Sequence, residues 1–444
     1  MTQSDRREAF IPYRRSDLIH LCLEDGKLSD ADAHTFCEFC EILAAYYHFQ
    51  FHHTLETLKD NYAPFNPDAD TKSVQDLNEG DRQHRIQQLV STFHTLLKRA
   101  NYVEIPQPSL ERAFREKSLI ELNTRVDFND FEAMVCYCRG DVYREVTRKK
   151  WIFWKKKEIL DVFERVAIFL SFKDADYFAH KKKQTRDRPF QPGQSYVYLY
   201  RNIPKSDIEF VFPNVEISMT LKDRLLLLVP AIGAAIAVIA RALPQLLLIV
   251  GAILFFLDPP GFLEQLKANE RDVQDLMPVL AALLSLLVVF GGFAFKQYTA
   301  YQTKQIKFQK NVTDTLFFRN IASNLGVFYT LIDAAEEEEC KEIILVYYHL
   351  LTQPEPLTDR ELDQQIEQWM NDKFGTVIDF DIQGPLQNLQ QLRGELKTES
   401  GEAIANVPLL TRDPQGRCRI LPLHQAKTIV DSVWDGVFRY ANDC

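Results

Sequence analysis

An acidic run at residues 333–342 is the first place in this sequence where side chains could do chemistry. Asp333, Glu336 and Glu337 are three and four positions apart, so on a helix they share one face. Carboxylates in such a group could hold a divalent cation, and two further glutamates follow one turn later. Di-iron helices carry a His three residues after a Glu, and this run has none. The alternatives are a solvated face, paired through Glu337 and Lys341, or a partner for basic segments.

A basic and aromatic run at residues 148–157 is the second candidate. Aromatic rings settle at the depth of lipid headgroups, while cations attract anionic lipid. The run therefore predicts a lipid-facing element, with single-stranded nucleic acid or a plain solvated hairpin as alternatives. The residues assigned to this interface are Arg148, Lys149, Lys150, Trp151, Trp154, Lys155, Lys156 and Lys157.

Cysteine and histidine spacings indicate packing more than metal binding. Cys37 and Cys40 form a CxxC pair inside an apolar helical pattern, and a CxC pair follows at 136–138. Four thiolates could bind zinc, but buried cysteines on a helix commonly pack as small hydrophobes. His48 and His52 have metal-compatible spacing without the glutamate of an HExxH motif. No motif predicts a cofactor or a catalytic residue.

These residues require a helical N-terminal region and a small sheet to position them. Apolar spacing predicts helices at 29–62, with Ser29 or Asp30 as cap, and at about 81–99, with a third helix after Pro108. Short aromatic and β-branched runs at 134–138, 166–172 and 196–200 predict strands. We therefore expect a helical region at 1–118 and an antiparallel sheet at 119–217 packed on it.

The C-terminal part is predicted to be mostly helical. Residues 297–352 form a stalk that contains the acidic helix. Residues 353–444 follow the order helix, helix, hairpin around Pro414 to Gly416, and a final helix from His424, which resembles a winged-helix module. This region is expected to bind protein partners, and a homo-oligomer is the alternative to a separate protein partner.

Two apolar blocks predict membrane insertion. A helix needs roughly 20 apolar residues to cross a bilayer, which favours spans at about 238–257 and 277–296, joined by an outer loop at 258–276. Residues 225–237 would lie at the interface, although a short hairpin within 225–257 is an alternative. Arg241 is expected near the bilayer edge because a charge at its centre is costly. The expected fold class is thus an α+β membrane protein with two transmembrane helices.

Flanking charges orient this arrangement. Lysines and arginines outside the two blocks, and acidic residues between them, place both large domains and both termini on the cytoplasmic side. The formal charge of -10 argues against nucleic acid as a general partner. The N-terminus has no apolar segment typical of a secretory signal, and the 8 scattered cysteines favour a reducing compartment.

The segments YLYRNIPKSDIEFVFPN at 198–214 and LFFRNIASNLGVFYTLIDAAEEEECKEIILVYYHLL at 316–351 resemble an uncharacterised membrane family. That family occurs in cyanobacteria and plastids and includes an animal mitochondrial transmembrane protein. The resemblance covers roughly 110–440 and implies two spans, in a plasma or thylakoid membrane if the chain is cyanobacterial. It implies no activity.

Two functions follow as hypotheses. The first is a membrane-anchored scaffold or regulatory protein that contacts the bilayer, anionic headgroups and protein partners. The second is a membrane enzyme or transport component, metal-dependent through the acidic helix, that acts as an oligomer. The first is favoured because two spans provide only a thin pathway in one protomer.

Overall fold

The computed structural model describes residues 9–71, 78–116, 123–151, 154–181, 189–218, 316–375, 377–397 and 403–437, with scattered helical positions between 291 and 310. Within these ranges the chain is an α+β protein. The chain forms two compact units. The larger contains Met1–Ala113, Asp127–Asn214 and Arg319–Cys444, and the smaller contains Phe114–Val126 and Val215–Phe318.

The helices begin and end where local chemistry favours it. The Ser29 side chain caps α2 by accepting from the Asp32 amide, and Thr358 and Glu361 form a capping box at the start of α7. Gly375 ends α7 with a φ of 64°, a left-handed conformation that suits glycine. The helices are α1 (Arg15–Glu24), α2 (Asp30–Tyr62), α3 (Glu79–Arg99), α4 (Gln107–Glu116), α5 (Ala175–His180), α6 (Leu325–Leu351), α7 (Asp359–Phe374), α8 (Gln383–Gln391) and α9 (Leu423–Asp435).

The main sheet has five strands in the order β1-β3-β4-β5-β7, and every neighbouring pair is antiparallel. Three two-stranded pairs accompany it: β2 with β6 in the smaller unit, and β8 with β9 and β10 with β11 in the larger. The strands are β1 (Val103–Glu104), β2 (Asn123–Arg125), β3 (Phe131–Trp151), β4 (Trp154–Phe172), β5 (Ser195–Pro204), β6 (Glu216–Ser218), β7 (Asn320–Ser323), β8 (Arg393–Lys397), β9 (Ala403–Pro408), β10 (Leu410–Arg412) and β11 (Cys418–Ile420).

Helix α6 is the centre of the larger unit. It contacts α1, α2, α3, α7 and α8, and every residue from Glu338 to Leu350 is buried. Alternate residues of the sheet, including Tyr137, Phe169 and Leu199, join the same core. The core therefore contains residues from both the N-terminal helices and the C-terminal segments.

The sequence predicted a two-span architecture. This prediction is wrong, because no described helix is both long and apolar enough to cross a bilayer. The long helices that the structure describes instead bury their apolar faces against one another, as α2 and α6 do. The same finding contradicts two further predictions, the membrane-anchored function and the multi-pass localisation with cytoplasmic termini. The blocks at 225–257 and 277–290, and Arg241, lie outside the described residues.

Several local predictions are confirmed. The helix expected at 29–62 is α2, the helix expected at 81–99 is α3, and the three predicted strands lie within β3, β4 and β5. The hairpin around Pro414 to Gly416 joins β10 and β11, and the final helix is α9. The hairpin of β8 and β9 was not predicted. Its strands are short, and Gly394 interrupts the alternating apolar pattern of the first.

Candidate functional site

The basic run lies at the end of a long two-stranded ribbon. Strands β3 and β4 pair in register from Phe131 opposite Phe172 to Trp151 opposite Trp154, whereas β5 pairs with β4 only between Val162 and Ser171. Beyond Val162, the described part of the sheet thus continues as β3 and β4 alone. At about 3.3 Å per residue, the nine steps from Val142 to Trp151 extend roughly 30 Å.

At the base of the ribbon, one lysine forms ion pairs with two aspartates, one on each strand. Asp141 on β3 and Asp161 on β4 flank the last position at which β5 pairs with β4. The Nζ atom of Lys205, directly after β5, lies 2.7 Å from Asp141 Oδ1 and 3.0 Å from Asp161 Oδ1. The same Nζ is 5.0 Å from the ring centroid of Phe163. These contacts join the ribbon to the third strand at its root.

Cations occupy directly opposite positions towards the tip. Arg148 faces Lys156, Lys149 faces Lys155, and the last pair is Trp151 with Trp154. Opposite residues of an antiparallel pair lie on the same face, and like charges placed there repel each other. The register therefore sets basic residues opposite basic residues at two successive positions near the end of the ribbon.

The acidic run divides into an outer part and a buried part. Asp333 is exposed, Glu336 Oε2 lies 2.9 Å from His48 Nδ1, and Glu337 Oε1 accepts the Arg15 amide at 2.7 Å. Among the described residues, no group of three or more His, Cys, Asp or Glu side chains could hold a metal ion. Metal binding by Asp333, Glu336 and Glu337 stays a prediction, which elemental analysis of the protein and of Glu336→Gln would test.

The buried part of the run was not anticipated from the sequence. Glu338 and Lys341 are 0% and 3% exposed and form an ion pair of 2.7 Å, with Glu339 and Glu342 also buried nearby. Apolar residues on both sides of the run were the available signal. The helix after Glu342 is apolar around its whole circumference, which is typical of a buried helix, so charges in the adjoining turn require partners.

The remaining candidates divide into buried cysteines and exposed histidines, His48 and His52. Cys40 and Cys136 are buried, and burial raises the pKa of both thiols above the usual range. A raised thiol pKa disfavours the thiolate that nucleophilic or metal chemistry requires. His48 contacts Glu336 on α6, so it links two helices.

Residues 163–326 match a family model described as protein of unknown function (DUF3754). A domain of that family covers this segment of the chain. The match begins at the root of the ribbon, at Phe163, and ends in the first turn of α6, at Gly326. It supports the expected relation to an uncharacterised family, and it leaves the ribbon tip at 148–157 outside. No solved structure matches the chain.

Proposed function

We propose that this protein binds anionic phospholipid headgroups through the tip of the ribbon formed by β3 and β4. The observation that carries the proposal is the register that sets Lys149 opposite Lys155 and Arg148 opposite Lys156. Cations set opposite each other on paired strands repel, so an anionic surface that neutralises them would stabilise the pairing. The membrane-anchored scaffold is not part of this proposal, which concerns headgroup contact alone.

The order of residue types along the ribbon favours a lipid surface over nucleic acid. Trp151 and Trp154 form the last described pair, and the cations come directly behind them. A ribbon entering a headgroup layer from its tip would place aromatic residues deepest and cations at the level of the phosphates. A strand of nucleic acid would instead be followed by cations and aromatics alternating along a groove.

Neutralising one facing pair should weaken vesicle binding strongly. Each cation near an anionic surface contributes about 1 kcal/mol, so Lys149→Gln with Lys155→Gln should lower the partition coefficient roughly 30-fold. The measurement is co-sedimentation of the full chain with vesicles of phosphatidylcholine containing phosphatidylserine, at low salt. Vesicles of phosphatidylcholine alone should bind poorly.

A matched control is available on the C-terminal hairpins. Arg393 and Arg419 are exposed strand cations, so Arg393→Gln with Arg419→Gln removes the same charge from another surface. This variant should bind like the unmodified protein. Equal losses in both variants would mean that net charge alone governs binding, and preference for single-stranded DNA over the vesicles would also overturn the proposal.

The same pair of substitutions should stabilise the ribbon of the full chain when no lipid is present. Because Lys149 and Lys155 face each other, their neutralisation removes repulsion in the absence of lipid. Hydrogen exchange of the amides of 144–151 and 154–160 should become slower in Lys149→Gln with Lys155→Gln. Faster or unchanged exchange would show that the facing cations do not strain the ribbon.

A further inference from the structure

A polar cleft of about 600 Å³ lies in the larger unit, away from the ribbon. Its walls come from the middle of α2, the end of α3, the acidic part of α6, and α8. Glu339 and Glu342, both 6% exposed, line its floor, and side-chain amides such as Gln50, Asn101 and Asn388 line its sides. Uncharged polar side chains therefore make up most of the polar lining of the cleft.

The ionic groups at the floor already have partners. Arg99 Nε lies 2.5 Å from Glu339 Oε2, and Asn388 Nδ2 donates to Glu339 Oε1 at 2.9 Å. The guanidinium group of Arg99 also lies over the ring of Phe51, 3.9 Å from its centroid. A charged ligand would therefore compete with an existing ion pair, and its desolvation would have no new counter-charge at the floor.

Glu342 lines the cleft, and its burial favours the uncharged form of its carboxyl group. Burial raises the pKa of this carboxyl well above its usual range, and the negative charges of Glu338, Asp381 and Glu339 raise it further. The Asn101 side chain opposes the shift by donating to Glu342 Oε1 at 2.8 Å. When it carries a proton, this carboxyl group can donate a hydrogen bond through its O–H while Oε1 accepts from Asn101.

We infer that this cleft binds a small uncharged polyhydroxylated molecule, of the class of sugars and cyclic polyols. Hydroxyl groups both donate and accept, which matches the side-chain amides of the cleft and a carboxyl group whose uncharged form is favoured by burial. Tyr46 adds a half-buried aromatic ring at the wall, a surface suited to the apolar face of a sugar ring. The exposed Lys98 and Asp381 lie at the opening rather than the floor.

Ligand-observed magnetic resonance on the full chain tests this inference. The probes are glucose, galactose, mannose and myo-inositol, each compared with a charged counterpart: glucose 6-phosphate, galacturonate, mannosamine and inositol phosphate. At least one neutral probe should bind saturably and more tightly than its charged counterpart. The inference is overturned if none of the four neutral probes binds or if the charged counterparts bind more tightly.

Variants at Glu342 test whether ligand binding uses a neutral hydrogen-bond donor or an ionised carboxylate at this position. Glutamine copies the protonated acid, since it can accept from Asn101 and still donate an N–H group. Glu342→Gln should keep the neutral probe's affinity, while Glu342→Met should lower it at least tenfold. Affinity of the unmodified protein should fall as pH rises through the Glu342 pKa, and Glu342→Gln should lose that dependence. Loss of binding in the glutamine variant would show that the ionised carboxylate is required.

Two further variants distinguish a loss of ligand binding from a loss of folding. Gln50 is an exposed residue on the cleft wall, so Gln50→Ala should weaken binding of the neutral probe without unfolding the protein. Glu337 lies on α6 and contacts Arg15 instead of the cleft, so Glu337→Gln should leave binding unchanged. Unchanged affinity in Gln50→Ala, or an equal loss in Glu337→Gln, would remove the cleft as the binding site.

Discussion

Replacing Lys341 by methionine is expected to lower the free energy of unfolding by about 3 to 5 kcal/mol. The lysine Nζ lies 2.7 Å from Glu338 Oε2 and donates to the Ile11 carbonyl at 2.6 Å. Glu338 is 0% exposed, and its Oε1 accepts the Ile11 amide at 2.6 Å. The substitution leaves this carboxylate buried without its cation.

The loss should depend on pH in a defined direction. Burial already raises the pKa of Glu338 despite the nearby lysine, and removing Lys341 would raise it further. A group whose pKa is higher in the folded state contributes stability at acid pH, and that contribution is lost as pH rises through the folded pKa. Urea unfolding should therefore find Lys341→Met closer to the unmodified protein at pH 5 than at pH 8.

Two comparisons make the Lys341 result specific. Adding Glu338→Gln should restore part of the stability, because a neutral amide still accepts from the Ile11 amide and carries no buried charge. Lys427→Met is the surface control, since its pair with Glu38 is 2.7 Å long but about one-third exposed. Such a pair contributes about 0 to 1 kcal/mol. Equal effects at Lys341 and Lys427 would contradict the importance of burial.

Substitution of Asn324 by alanine is expected to cost about 2 to 4 kcal/mol. Asn324 precedes α6 with φ 50° and ψ −125°, a conformation that non-glycine residues rarely adopt. Its Oδ1 accepts from the Tyr62 hydroxyl at 2.8 Å and the Val197 amide at 3.2 Å, and its Nδ2 donates to Asp68. The residue thus ties α2 and β5 to the start of α6.

Glycine and alanine should differ at this position. Both remove the side-chain hydrogen bonds, but glycine also relieves the backbone strain, so Asn324→Gly should be about 1 kcal/mol more stable than Asn324→Ala. Asn406 has φ 62° and is exposed, so Asn406→Ala measures a positive-φ substitution at the surface. Urea unfolding of these three variants tests the account. A similar cost at 324 and 406 would assign the effect to backbone conformation alone.

Local sequence patterns were sufficient for much of the secondary structure. The apolar spacing and the Ser29 cap predicted α2 to within a residue, because both signals arise inside one helix. The aromatic and β-branched runs located three strands of the sheet for the same reason. These runs did not indicate that β3 and β4 continue as a two-stranded ribbon beyond β5. The length of that ribbon depends on where β5 stops pairing with β4.

The sequence by itself determined the positions of α2, α3, three strands of the main sheet and the hairpin around Pro414 to Gly416. It also determined the clustering of cations at 148–157, because all these features depend on neighbouring residues. Only the tertiary structure decided which charges of the acidic run are buried and which N-terminal groups pair with them. Glu338 and Ile11 are 327 positions apart, yet their hydrogen bond is buried. Spacing within a helix defines which residues share a face, whereas burial and pKa depend on what packs against that face from elsewhere in the chain.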